Sequence, residues 1–364
     1  MTVTNAELTI STIAKEALML LDNNLVLGNL VNRAYEAEFD KTLNGYKVGA
    51  TVPVRKPARY TIRSGAVASP QASLEKTTNI VVNIQEGVDL QFTSADMTLN
   101  ITEFSQRFLK SAMIQLANSV DLKLTALYKN VWNWVGTPGT VVGGFAAIGR
   151  GGQRLDEMAV PTGERIGALC PADNWGLLGS LTSVFVQDVA RPAIERAKLP
   201  TVGGFDLYSV QNVASQTVGT KAGTPLVNGA NQNVTYDGTN AQSLITNGWT
   251  ASSAILNQGD VFTIAGVFAV NPVSKVQLPY LQQFVVNTAV SSDGTGNATV
   301  NISPAIITSA GGGFQTVSAA PASGAAITVL GTAATAYTQS MLFHKNAFSL
   351  CMVPMERPEG AVKV

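Results

Sequence analysis

The chain has 364 residues, with 24 lysines and arginines balanced by 24 aspartates and glutamates, and a single histidine. That neutrality excludes the overall basic balance typical of nucleic-acid binders. One histidine and no CxxC pair exclude a multi-histidine or paired-cysteine metal centre. The charged fraction, 13%, is well below the ~25% of ordinary globular domains, so little surface charge opposes association between copies.

The N-terminus, MTVTNAELTISTIAKEALML, has no basic leader region, and Lys15 and Glu16 interrupt its apolar run. No targeting signal is expected. Ile13, Ala17 and Leu20 recur at helical spacing, so residues 1–40 read as a partly helical arm. The arm ends in AYEAEFD, with Glu36, Glu38 and Asp40.

A basic stretch follows. Residues 41–74 hold Lys41, Lys47, Arg55, Lys56, Arg59 and Arg63 and no acid, a quarter of the chain's cations. Pro53 and Pro57 cannot donate to a sheet ladder, which argues against a central strand. VPVRKPARYTIR reads as one side of an exposed hairpin, with its turn near SGAVASPQAS and its return near TTNIVVNI. A lone hairpin is marginal in water, so something must hold this one. Three readings are open: a solvated loop, contact with an acidic face of another copy such as AYEAEFD, or contact with nucleic-acid phosphates. Tyr46 and Tyr60 alone accompany the cations, which makes base stacking weak.

GVDLQFTS (87–94) alternates and predicts a half-buried strand. Asn100 with Glu103 makes a capping-box start, and Phe104, Phe108, Ala112, Leu116, Val120 and Leu124 form one apolar row. No Gly or Pro intervenes until Gly136, so a helix through about residue 135 is expected, roughly 50 Å long at 1.5 Å per residue.

Residues 140–212 read as α/β. GGFAAIGRGG is taken as a flexible Gly-rich loop, because it lacks the Lys-Ser/Thr pair of a phosphate-binding P-loop. LCPADNWGLLGSL and DVARPAIERAKL are read as short helices. Between Gly219 and Ser303 turn residues are dense and charges sparse, which predicts an inserted all-β module. Asp293-Gly-Thr-Gly-Asn is read as a tight turn rather than a cation loop. After a Gly/Ala-rich segment (305–336), AYTQSMLFHKNAFSLCMVPM is read as a short helix leading to a strand. The longest apolar runs are around ten residues, as in VFTIAGVFAV, against the about 20 of a membrane span.

No catalytic constellation is visible. His344 has no GxSxG elbow to serve and is read as structural. Cys170 and Cys351 are read as free thiols, with a bridge left open by the sequence alone. No catalytic, cofactor-binding or metal-binding residue is assigned, and no cofactor.

The order of parts resembles the major capsid protein of tailed double-stranded DNA bacteriophages, the Hong Kong 97-type fold. More narrowly it is similar to the scaffold-dependent coat-protein family of short-tailed phages that carry an inserted β domain. YTIRSGAV (60–67), residues 87–121, LNQGDVFTIAGVFAVNPVSK (256–275) with LQQFVV and GTGNATVNISPAI, and LFHKNAFSL (342–350) carry the resemblance, which spans nearly the whole chain.

The resemblance implies an α+β fold: an N-terminal arm (1–45), an extended hairpin (46–82) and a peripheral domain with its spine helix at about 101–135 (83–139). An axial domain (140–212 and 308–350), an inserted β domain (213–307) and a C-terminal return (351–364) complete it. It implies a structural protein rather than an enzyme, whose pentamers and hexamers close into an icosahedral shell of the virion. Assembly would take place in the host bacterial cytoplasm, with scaffolding and portal proteins as partners. Packaged double-stranded DNA would be contacted non-specifically, a decoration protein is a further possible partner, and no membrane is involved. Lys47, Arg55, Lys56, Arg59 and Arg63, with Glu36, Glu38 and Asp40, are the expected inter-subunit contacts. The rival readings are a tail-tube or decoration protein, which the long helix opposes, and a hydrolase or adhesin-like surface protein, which lacks a signal sequence or catalytic set.

Overall fold

The computed structural model describes residues 15–21, 25–36, 51–68, 70–71, 73, 75–89, 104–181 and 201–353. Two compact units emerge. One comprises Met1–Val52, Ile80–Thr125 and Lys345–Val364, the other Pro53–Asn79 and Ala126–His344.

Strands β1 (Thr51–Lys56) and β2 (Lys76–Val81) pair as a two-stranded hairpin. Every described residue of 51–89 is exposed or half-buried. The segment was expected to lack a core of its own, and it does. The strand expected at 87–94 is not formed at 87–89, and the rest of it, like Asn100 and Glu103, lies outside the described residues.

In the first unit the helix begins with a π turn at Ser105–Leu109 and runs on as α1 (Lys110–Thr125). Phe104, Ala112 and Leu124 of the apolar row are buried. So is Asp121, whose carboxylate accepts the N–H groups of Val26 and Gly28, each at 3.1 Å. Those bonds satisfy the free donors at the start of the 3-10 turn Leu27–Asn29. Burial pushes the Asp121 carboxyl up, and the backbone N–H groups of Val26, Gly28 and Leu27 partly offset the shift. Asn32 then pairs with the chain's end: its N–H reaches the Phe348 carbonyl at 3.1 Å, and its carbonyl accepts from Leu350 at 3.0 Å.

After α1 the chain passes into the second unit with the 3-10 turn Ala126–Asn130. Residues 131–135 are not helical, so the helix stops five residues short of expectation. Gln283 explains this: it accepts the Trp134 N–H at 2.7 Å and donates to the Trp134 carbonyl at 3.0 Å. A side chain thereby takes the backbone groups a further turn would need, in a WNWV run whose aromatic and β-branched residues favour helix weakly.

GGFAAIGRGG is not a loop. It forms most of α2 (Phe145–Glu157). A Cβ on Gly151 would lie 2.3 Å from Leu342 Cδ1, and one on Gly152 would touch the Phe205 ring at 3.4 Å. The glycines let a helix approach its sheet closely, and that tertiary gain overrides their weak helix propensity. That sheet is built from β3 (Arg165–Leu169) and β4 (Asp206–Ser209), which run parallel, and β15 (Met341–His344), antiparallel to β3. Helix α3 (Pro171–Leu181) follows β3 as expected from LCPADNWGLLGSL. DVARPAIERAKL lies outside the described residues. Ile148, Leu169, Leu177, Phe205 and Leu207 form the core between helices and sheet.

The inserted β module is present. After β5 (Ser215–Thr217) come β6 (Gly223–Val227), β7 (Gln242–Trp249), β8 (Ala254–Leu256), β9 (Val261–Val270), β10 (Gln277–Val286), β11 (Val290–Ser291), β12 (Ala298–Ser303), β13 (Ile327–Val329) and β14 (Ala336–Thr338). Six of them form one antiparallel sheet in the order β13-β9-β10-β12-β7-β6. Alternation sets the inner face: Leu244 and Thr246 of β7 and Val300 and Ile302 of β12 are buried, with exposed or half-buried residues between them. Gly266, at φ +80, sits where β9 carries extra residues against β10, a backbone conformation side chains resist and bulges use. Phe262, Ile264, Phe284, Val286, Leu244 and Val317 are fully buried at the centre.

Two expectations for the chain's end are corrected. The outer strand β13 comes from the Gly/Ala-rich segment, so the sheet draws on residues beyond 307. AYTQSMLFHKNAFSL forms β14 and β15 and a 3-10 turn at Lys345–Ala347, with no α-helix. Pairing with β5 and β3 claims this backbone for sheet. Cys170 is buried and both cysteines are free. His344 ends β15. No described helix is long and apolar enough to cross a membrane.

Candidate interface for assembly

The sequence singled out five cations and three acids, and the structure does not bring them into one cluster. Lys47, Glu38 and Asp40 lie outside the described residues. Glu36 is occupied within its own unit, facing Arg33 at 3.0 Å and accepting the Met352 N–H at 3.1 Å.

The hairpin cations divide by position. Arg55 stands 3.8 Å from Glu75, its side chain 83% exposed. A pair this open is worth ~0–1 kcal/mol. Lys56 reaches inward, its Nζ donating to the Gly238 carbonyl at 2.6 Å. Arg63, near the tip, donates to the Gly65 carbonyl of its own turn. Arg59 lies between them with its side chain open to solvent. At the tip Ile62 and Val67 are almost wholly exposed. Two large aliphatic side chains thus face water on a segment whose described residues include none that is buried.

Sequence reasoning missed the surface that receives the stem. Gly238 follows Asp237, whose carboxylate accepts the N–H and hydroxyl of Thr239 and is lowered chiefly by those bonds. The 3-10 segment Ser309–Phe314 carries Gly313, and its Phe314 ring stacks on Tyr236 at 4.1 Å and 9°. Lys275 donates to the Gly313 carbonyl at 2.6 Å. Burial lowers its pKa, and the Arg59 charge adds to the effect. The run AGGGF was the available signal, since consecutive glycines mark close backbone approach as readily as flexibility.

A second network ties the β module to the turn after α1. Asp260, buried, accepts from Gln216 Nε2 at 2.8 Å, Gly219 N–H at 2.9 Å and Asn257 N–H at 2.8 Å. Gln216 in turn accepts from the Tyr128 hydroxyl. Burial and the Asp260 charge push Tyr128 up to about 12. Every polar partner is accounted for, which suits structure rather than chemistry. Asp293 likewise folds onto its own turn, accepting from Thr295 and Asn297. Among the described residues no three His, Cys, Asp or Glu side chains gather as a metal site.

A family model described as P22 coat protein, gene protein 5, matches residues 1–362. The chain belongs to the P22 coat protein family. It is a shell-forming coat protein, the same family to which the sequence resemblance led. No curated protein matches it. Among solved structures, a Mycobacterium phage Che8 chain shares 14% identity over 88% of this chain and 91% of its own, with a TM-score of 0.42. The CUS-3 coat protein I-domain shares 29% identity over 31% of this chain and 98% of its own, at 0.23. A capsid chain of cyanophage P-SCSP1u shares 12% over 84% and 85%, at 0.36. Membership rests on the family match.

Proposed function

We propose that this coat protein assembles, on a scaffolding protein, into an icosahedral procapsid of the Hong Kong 97 type that expands when double-stranded DNA enters. The observation that carries the reading is the family match along residues 1–362. Its pentamers and hexamers form in the host cytoplasm, one vertex taking a portal protein, and a decoration protein is a further partner. The chain's role is structural, not enzymatic.

In this reading the arm, the hairpin and α1 with the turns around it make the edges at which copies meet. The axial domain is the β3-β4-β15 sheet with α2 and α3, and the inserted domain is the six-stranded sheet. The hairpin tip, with Arg59, Arg63, Ile62 and Val67, meets a neighbouring copy. The neighbour's acidic segment, with Glu38 and Asp40, and the hairpin's Lys47 add to the same edge. Individual exposed pairs are weak, but a shell repeats each one many times, and weak contacts let misplaced subunits leave.

The test is electron microscopy, with sedimentation, of the chain expressed alone and with its neighbouring phage genes. Closed uniform shells only in the co-expressed sample support a scaffolded coat. A stable monomer in both samples would sink the reading.

A further inference from the structure

The hairpin stem rests on the inserted domain at two glycines. A Cβ on Gly313 would meet the Arg59 carbonyl oxygen at 2.7 Å, its carbon at 2.9 Å and its Cβ at 3.1 Å. Those three Arg59 atoms are its nearest neighbours, and Gly313 has no positive φ. The atoms that most closely bar a side chain at this position therefore belong to the stem. At the second point Gly238 faces the return strand, where its Cβ would meet Lys76 side-chain carbons at 3.0–3.1 Å. Lys56, from the outgoing strand, bonds to the carbonyl of the same Gly238 at 2.6 Å. Both strands of the hairpin are thus held at one turn.

The receiving surface is itself braced. Lys275 holds the Gly313 carbonyl, and the Tyr236–Phe314 stack fixes the end of the segment. Beside the contact lies a cavity of about 310 Å³, walled by Pro57 and Arg59 of the stem and by Tyr236 and Phe314 of the module. The stem has no buried residue of its own to stiffen it.

We infer that the inserted domain presents a seat for the hairpin stem, at Gly238 and Gly313, and that this seat sets the direction in which the hairpin leaves the subunit. Two six-residue strands with no core do not hold a direction in water. A braced surface pressed against their backbone does. Lys56 is thereby spent within the subunit, and the guanidinium of Arg59 with the tip beyond it is what remains for other copies. The bearing of the seat on assembly rests on the coat-protein reading; the seat itself does not.

The test uses the full-length chain kept unassembled, digested lightly with trypsin, with cleavage followed at Arg63 and melting of the β module followed in parallel. Gly313→Val should lift the stem and speed cleavage about tenfold, as a contact-dependent segment opens more often. Lys56→Met should speed it roughly threefold by the same reasoning. Gly294→Ala is the control, since a Cβ there meets nothing within 4 Å. Cleavage of both variants at the wild-type rate, with melting unchanged, overturns the seat. Should Gly313→Val lower the melting temperature of the module, Lys56→Met decides alone, and unchanged cleavage in it overturns the proposal. Failure of the wild-type chain to form shells would count against the coat reading and leave the digestion result standing.

Discussion

The six-stranded module and the hairpin are both β structure, and they differ in composition and in what surrounds them: module strands such as β9 and β10 are largely apolar, while the hairpin's carry cations. In the module, Phe262 and Phe284 face each other at 5.8 Å between centroids, buried among Ile264, Leu244 and Val286. In the hairpin, Ile62 stands fully in water, and no described residue is buried. Apolar side chains do opposite work in the two places. Inside the module they stabilise one subunit. On the hairpin tip they face water, and in the proposed shell they would meet a second copy.

The comparison breaks first at the core. Phe284→Ala should lower the stability of the β module by about 3–5 kcal/mol, the usual cost of emptying a buried aromatic site, seen as a shifted denaturant midpoint. Ile62→Ala should leave that midpoint within ~0.5 kcal/mol, as exposed substitutions do, while reducing shell yield. Equal destabilisation by both would mean that the tip is packed within the subunit after all. Next comes Asp260→Ala, which strands the donors on Gln216, Gly219 and Asn257. About 2–3 kcal/mol of destabilisation is expected, at the upper end for a buried group left without its partner. The same midpoint measures it.

The module was legible in the sequence because strands such as β7 and β12 obey period two and its turns carry Asp-Gly and Gly-Asn pairs. Leu244, Thr246, Val300 and Ile302 could be assigned to one face from spacing alone. The hairpin was legible for the opposite reason, its prolines and unbalanced cations. Two readings failed where tertiary packing outweighs local preference. GGFAAIGRGG became a helix because Leu342 and Phe205 press on Gly151 and Gly152, and those partners lie far along the chain. The helix after Asn130 stopped because Gln283 captures Trp134, a partner about 150 residues away. The candidate interface was legible as a cluster of charge, not as geometry. Nothing local distinguishes Lys56, which bonds within the subunit, from Arg59, which does not.

That division sharpens the next prediction. Arg59→Glu with Arg63→Glu should leave the monomer's melting within ~0.5 kcal/mol and impair assembly, read as lower shell yield by sedimentation. Arg55→Glu, by contrast, should leave the shells largely intact, because Arg55 stands by Glu75 in an exposed pair of small value. Normal shells from the Arg59/Arg63 double variant would remove charge from the account of the tip and leave Ile62 and Val67 as its contacts.

The smallest effect concerns a turn of the module, and it has a definite sign. Asp293 is held down to about 2, first by the Asn297 N–H and then by the hydroxyl and N–H of Thr295. A folded-state pKa below the unfolded one means the ionised carboxylate is favoured by folding. Its contribution is therefore fully present above the ordinary carboxylate range and is lost as pH falls from about 4 toward 2. The group is fully exposed, so the loss should be local: the Thr295 and Asn297 amide resonances should shift together on titration through about 2, with the six-stranded core unmoved. Asp293→Asn should abolish that titration while the turn persists, because an amide oxygen can still accept from both N–H groups. Titration of these amides at the ordinary carboxylate value instead would mean the turn does not hold the carboxylate in solution.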